Sequence, residues 1–161
     1  MRIRAAEPDD RAELEGFLER WCSLQVARLG LLEHPLDHNM LVAERDGRLV
    51  GALTYVVRGA ECEVLTLHAD ERRKGMGSAL IAEVKQIARR AGCTRLWLIT
   101  TNDNLDALRF YQRRGFRLAA LHPGAVDDSR RRLKPAIPEL GDHGIPIRDE
   151  LEFEQEIGGD A

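Results

Sequence analysis

The chain has no apolar run near the roughly 18 residues that a membrane-spanning helix needs. Its three cysteines, Cys22, Cys62 and Cys93, are odd in number and far apart. They suggest no disulfide framework, and with the five histidines they give no metal-ligand spacing. They read as buried or half-buried thiols. No internal repeat or low-complexity tract is present. Neither charge sign dominates: 24 Lys and Arg stand against 27 Asp and Glu, for a net charge of −3. The balance gives no global pull toward nucleic acid or an anionic membrane. The start, Met1 to Pro8, lacks an apolar signal region, so the expected location is cytoplasmic. Two familiar phosphate loops are also missing. No window supplies Gly-x-x-x-x-Gly-Lys-Ser/Thr, and the dinucleotide pattern Gly-x-Gly-x-x-Gly/Ala fails at Leu80.

What remains is a soluble, globular composition: 161 residues, 43% hydrophobic and 32% charged, enough for one domain with a real core. The expected order begins with a short strand over Arg2 to Ala5. A helix follows from about residue 10 into the twenties, with Leu14, Phe17, Leu18, Trp21 and Leu24 at helical spacing. Gly30 and Pro35 break the chain, and Leu31 to Asn39 reads as loop or a short second helix. Leu41–Glu44 and Leu49–Val57 read as strands joined at Asp46-Gly47, a strong hairpin signal. Glu61 to Leu67 is a third extended run.

A long amphipathic helix comes next. Met76, Ala79, Leu80, Val84, Ile87, Ala88 and Ala91 share one face, and Gly92 stands where a left-handed cap belongs. Thr94 to Thr100 is a strand, expected to run parallel to the one before the helix. The polar turn Thr101-Asn102-Asp103-Asn104 leads to a helix ending at Gly115, then a strand over Phe116 to Leu121. Residues 122–150 break the rhythm with four prolines, three glycines and the run Arg130-Arg131-Arg132-Leu133-Lys134. They read as an ordered arm. Leu151 to Glu154 is a final strand.

The chemistry is concentrated in Glu71 to Leu80. Arg72, Arg73 and Lys74 precede Gly75 and Gly77, and the long helix starts there. Glycine lets an anion approach the backbone closely. The first-turn N–H groups lack intrahelical partners, and the helix dipole adds positive charge. Phosphate or pyrophosphate is the natural guest.

Arg72-x-x-Gly75-x-Gly77 resembles the coenzyme A pyrophosphate loop of the GNAT N-acetyltransferase family. A second motif lies about 30 residues on: Asn104-x-x-Ala107-x-x-Phe110-Tyr111-x-x-x-Gly115-Phe116. The resemblance spans residues 1 to about 121 and the last strand. It implies an α/β fold with a mixed (α+β) sheet of about seven strands flanked by about four helices, over residues 1–161. It also implies acetyl-CoA as co-substrate, no metal, and a primary amine as acceptor. Arg72, Arg73, Lys74, Gly75, Met76, Gly77 and Ser78 would hold the pyrophosphate. Leu65, Thr66 and Leu67 would pair with the pantetheine, and a backbone N–H near Leu67 would polarise the thioester.

By the same resemblance, Tyr111 would be the acid for the leaving thiolate, and Asn104 and Ala107 would lie against the coenzyme. Glu61 matches a glutamate position of some protein-acetylating members. Glu63 shares its strand face, and His68 has a suitable ordinary pKa, so the base stays open. Each residue has a plainer reading. Asn104 could be a helix cap, Tyr111 core, Glu61 and Glu63 solvent-facing, and His68 a loop residue. Trp21 and Phe17 could line the acceptor side or fill the core. The arm could shape the acceptor side or a homodimer contact, and its arginines read as a solvated face more than a nucleic-acid site. An acyl-CoA-binding or sensing module with little turnover is the alternative to an enzyme.

Overall fold

The computed structural model describes residues 1–70 and 75–158. Its elements in chain order are β1 (Arg2–Ala5), α1 (Arg11–Arg20), β2 (Val26–Arg28), β3 (Leu31–Glu33), β4 (Asn39–Arg45), β5 (Arg48–Arg58), β6 (Glu61–Ala69), α2 (Met76–Arg90), β7 (Arg95–Thr101), α3 (Leu105–Arg113), β8 (Arg117–His122), α4 (Ala125–Arg132) and β9 (Glu150–Glu156). Among the described residues no helix is long and apolar enough to cross a membrane. The chain forms two compact units. The first holds Met1–Gln25, His34–Leu96 and the stretch from Glu156; the second holds Val26–Glu33 and Trp97–Gln155.

In the first unit the strands are ordered β1-β4-β5-β6, each pair antiparallel. Asp46 and Gly47, at φ 53° and 74°, make the expected two-residue turn with both central residues left-handed. The side-chain period of two then sorts the faces. Met40, Val42 and Ala52 pack on Leu14, Phe17 and Leu18 of α1. Gly51 faces α2 instead: a Cβ there would lie 2.7 Å from Met76 Sδ. The two helices therefore cover opposite faces of this sheet.

Both helices end in the same device. In α2 the Cys93 N–H donates to the Ala88 carbonyl (2.9 Å) and the Gly92 N–H to Arg89 (3.0 Å), with Gly92 at φ 83°. In α1 the Ser23 N–H donates to Leu18 (2.9 Å) and the Cys22 N–H to Glu19 (3.0 Å). There the left-handed residue is Cys22 at φ 54°, a position usually given to glycine. α1 thus stops at Arg20, short of the expected twenties. Trp21 and Ser23 are fixed in place at a backbone cost of about 1–2 kcal/mol.

β6 departs from ideal pairing. Thr54 pairs Thr66, but Tyr55 pairs Val64, so Leu65 is an extra residue with no partner on β5. This β-bulge is pinned by Thr66 Oγ1 donating to Thr54 Oγ1 at 2.8 Å, with both threonines buried.

In the second unit the order is β7-β9-β8. α3 opens at Asn104, whose Oδ1 accepts the Ala107 N–H at 3.1 Å, and closes at Gly115, φ 88°. Two expectations need correction here. Leu31 onward does not begin a loop or helix: Val26–Glu33 is an antiparallel hairpin turning at Leu29 and Gly30, both with positive φ. Only Pro35–Asp37 forms a single 3-10 turn. Leucine at a left-handed turn position hides the signal that Asn-Gly or Asp-Gly would give.

The arm at 122–150 is also more regular than expected, because it contains α4. Asp127 pairs Arg130 at 2.8 Å and Asp128 pairs Arg132 at 2.6 Å, the i,i+3 and i,i+4 spacings that support a helix. Arg130 is not a solvated cation. Its guanidinium donates to the carbonyls of Ile137 (2.9 Å), Pro138 (2.8 Å) and Ile147 (2.9 Å), tying the irregular stretch to α4.

Arg130→Ala would leave the part-buried carbonyls of Ile137 and Ile147 without their donor, and we expect a loss of roughly 2–4 kcal/mol of unfolding free energy. Arg131→Ala, which removes only an exposed 3.7 Å pair, should change it by less than about 0.5 kcal/mol. Parallel urea titrations of the two variants measure the difference.

Candidate active site

The expected site residues fall into separate clusters. The first joins β6 to the start of α2. Gly75 takes φ 76° just before α2, and the first intrahelical bond runs from the Ala79 N–H to the Gly75 carbonyl at 3.0 Å. The N–H groups of Met76 and Gly77 precede that bond and have no place in the helical ladder. Met76 itself is a buried anchor for the turn, lying over Gly51. Arg72, Arg73 and Lys74 lie outside the described residues. Upstream, Leu65 carries the bulge, and Leu65 and Thr66 are buried.

His68 completes this cluster. Its ring stacks on Trp21, with centroids 5.0 Å apart and an interplanar angle of 8°. Its Nε2 lies 2.8 Å from Ser23 Oγ. Burial lowers its pKa from the ordinary 6.5 to about 4, so the ring is neutral at neutral pH. Trp21 also meets Phe17, at 6.5 Å between centroids. His68 is thus no loop residue: the capped end of α1 holds it.

The two glutamates sit at the other end of β6. Glu61 is exposed and pairs with Arg95 at 3.4 Å. Glu63 is only 1% exposed and pairs with Arg58 at 3.2 Å. The shared strand face places the two alike, yet burial separates them.

The third cluster lies on α3. Tyr111 is buried, its ring 5.0, 5.4 and 5.9 Å from the rings of Phe110, Phe116 and Phe153. Burial raises its phenol well above the ordinary 10, so it stays protonated at any ordinary pH. Among the described residues its hydroxyl has no hydrogen-bond partner. Asn104 serves as the helix cap, which uses its carbonyl oxygen and leaves the amide nitrogen for other work.

Asn102 and Asp103 were not singled out by sequence. Asn102 Oδ1 accepts the N–H groups of Arg148 (2.9 Å) and Asp149 (3.0 Å), and Asp103 Oδ2 accepts that of Asp142 (3.0 Å). They hold the arm. A turn of four consecutive polar residues before a helix that needs only one cap was the available signal.

The cysteines carry no chemistry of this kind. Cys62 and Cys93 are buried, and burial pushes the Cys62 thiol up to about 12. Among the described residues no group of His, Cys, Asp and Glu could hold a metal ion.

A model of the acetyltransferase (GNAT) family matches residues 4–116. The chain belongs to that family. The matched span of this GNAT contains all three clusters. A relative from Bacillus subtilis strain 168, the uncharacterized protein YdhI, is 47% identical over 142 residues, 88% of each chain. Among solved structures, the ribosomal-protein-S18-alanine N-acetyltransferase of Escherichia coli superposes with a TM-score of 0.71 at 17% identity, covering 99% of this chain and 96% of that one. A Bacillus subtilis acetyltransferase in complex with CoA gives 0.69 at 18% identity, covering 96% and 97%. These likenesses show the fold: the α/β GNAT architecture of strands flanked by helices.

Two stability predictions follow from the first cluster. The folded His68 refuses a proton until about pH 4, whereas the unfolded chain binds it near 6.5. Stability should therefore fall as pH drops from 6.5 toward 4, with a slope approaching about 1.4 kcal/mol per pH unit from this residue. His68→Gln should flatten that slope in urea titrations; an unchanged slope assigns the acid sensitivity to other groups. Gly51→Val would push against buried Met76 and should cost about 1–3 kcal/mol, read from thermal unfolding.

Proposed function

We propose that this GNAT transfers an acetyl group from acetyl-CoA to a primary amine by direct attack in a ternary complex. The observation that carries the proposal is the bulged strand β6 leading to an α2 that opens at a left-handed glycine. The bulge frees backbone at Leu65 from β5, and the start of α2 offers main-chain donors for an anion. In the proposed complex, the backbone of residues 73–78 holds the pyrophosphate, with Arg72, Arg73 and Lys74 adding charge. Leu65, Thr66 and Leu67 receive the pantetheine as an added strand. An N–H near Leu67 stabilises the oxyanion.

The amine must first lose a proton, because an ammonium has no lone pair. Its nitrogen then bonds to the thioester carbonyl carbon, the C–S bond breaks, and the thiolate takes a proton. We assign that proton to Tyr111, which matches the family's acid position; its burial among aromatic rings keeps the phenol protonated until the thiolate forms. Asn104 and Ala107 would flank the coenzyme. A carboxylate base would be Glu63 or Glu61. Along the strand they lie about 7 and 13 Å before Leu65, so either acts through water.

Tyr111→Phe tests the assignment. We expect turnover to fall by about 100-fold or more, followed as amine-dependent thiol release, with the acetyl-CoA dissociation constant by calorimetry within about twofold of the parent. Unchanged turnover removes Tyr111 from the acid role. Normal acetyl-CoA binding with no thiol release from a broad amine panel would favour a sensing module over an enzyme.

A further inference from the structure

The hydrogen bonds around His68 fix more than its position. Ser23 has one hydroxyl proton and two polar neighbours, the Trp21 carbonyl at 3.2 Å and His68 Nε2 at 2.8 Å. A carbonyl can only accept. If the hydroxyl pointed at Nε2, its lone pairs would face those of the Trp21 carbonyl, which has no other donor among the described residues. Both contacts are satisfied in one way: Nε2–H donates to Ser23 Oγ, and Oγ–H donates to Trp21. A neutral imidazole that donates from Nε2 carries its lone pair on Nδ1.

Nδ1 has no hydrogen-bond partner among the described residues. Trp21 stacks on the ring, yet His68 is only half-buried, so the ring is not sealed off. The arrangement is built rather than incidental. Cys22 accepts a left-handed backbone so that Trp21 and Ser23 can clasp one edge and one face of the ring. His68 also directly follows Leu65–Leu67, the run that receives the pantetheine in the proposed function.

We propose that His68 Nδ1 is a fixed hydrogen-bond acceptor for an N–H donor of the bound substrates. This rests on the acetyltransferase reading of the site. Two donors share that chemistry, an amide of the pantetheine arm and the acceptor amine itself. A neutral acceptor suits either one. It can take an N–H without competing for the amine's proton, which leaves the nitrogen lone pair to attack. His68 is here a positioning residue, distinct from the acid and the base.

Two substitutions separate this role from a structural one. A glutamine amide at position 68 can reach Ser23 but puts nothing at the Nδ1 position. An asparagine oxygen falls near Nδ1 but cannot reach Ser23. If Nδ1 acts, His68→Gln should lose about 10-fold and His68→Asn should retain more. If the ring only packs against Ser23 and Trp21, the order reverses, and that result overturns the proposal. A rise in the acetyl-CoA dissociation constant by calorimetry identifies the pantetheine as the donor. A rise in the amine KM with normal coenzyme binding identifies the acceptor. His68→Gln matching the parent in both measurements also overturns it.

Long-range proton–nitrogen NMR of histidine-labelled protein at pH 7 gives a readout without turnover. It should show the Nε2–H tautomer at His68, and Ser23→Ala should mix the two tautomers. An Nδ1–H tautomer in the parent refutes the assignment. Failure of the parent to bind acetyl-CoA would sink the acetyltransferase reading, while the tautomer result would still stand or fall on its own.

Discussion

Strand β6 has one residue more than β5 can pair. That mismatch at Leu65 controls what the first unit can do. Before it, Glu61 to Val64 follow the hairpin register set by the turn to β5. After it, Thr66 to Ala69 follow a shifted one. A bulge leaves its extra residue's backbone outside the ladder and increases the local twist. Without it, β6 would be fully paired to β5 along that edge, and its backbone polarity at Leu65 would be spent there. The Thr66 hydroxyl, donating to Thr54 Oγ1, gives each buried oxygen a polar partner in the interior. Two Val or Ile residues would fill that space but would not tie the strands together at the shift.

The strand beyond the bulge is held from both faces. Below Gly51, Met76 packs the first residue of α2 against β5, so the start of the helix is fixed relative to β6. On the other face the end of α1 grips His68. Both grips depend on backbone conformations of limited availability: Gly75 left-handed before α2, and Cys22 left-handed after α1. The glycine adopts its conformation freely, while the cysteine does so at a cost. The cost at Cys22 is tolerated because Ser23 and Trp21 then reach their partners. Strain of this size persists only where surrounding contacts over-determine it.

Much of this was legible in the residues. Asp46-Gly47 announced its turn because both residues tolerate positive φ. Gly92 and Gly115 announced helix ends for the same reason. The face of α2 followed from apolar spacing, and the two motifs placed α2 and α3 in order. The hairpin at 26–33 was hidden because Leu29 occupies a conformation that leucine rarely signals. The helix α4 was hidden because its flanks are rich in proline and glycine and five of its eight residues are charged. Its stability lies in ion pairs and in Arg130 bonds to carbonyls 7, 8 and 17 residues further on, beyond any helical spacing. The bulge left no trace in composition, since Cys62 to Leu67 reads equally well in either register.

Burial was the least legible property. Glu61 and Glu63 are two residues apart on one strand, and alternation treats them as equivalent. Yet Glu61 pairs with Arg95 in the open, while Glu63 is buried and reaches an Arg58 whose own side chain is half exposed. A strand's face can pass from solvent to interior within a single step of that alternation, where a neighbouring element begins to cover it. The same passage explains His68. Near the end of β6, where Trp21 and Ser23 close on it, a residue that would otherwise titrate near neutrality is half-buried and loses its proton. Its value to the site is then that of a fixed neutral acceptor. The sequence supplies the imidazole, but the cap of a helix some 45 residues earlier decides which of its nitrogens is available.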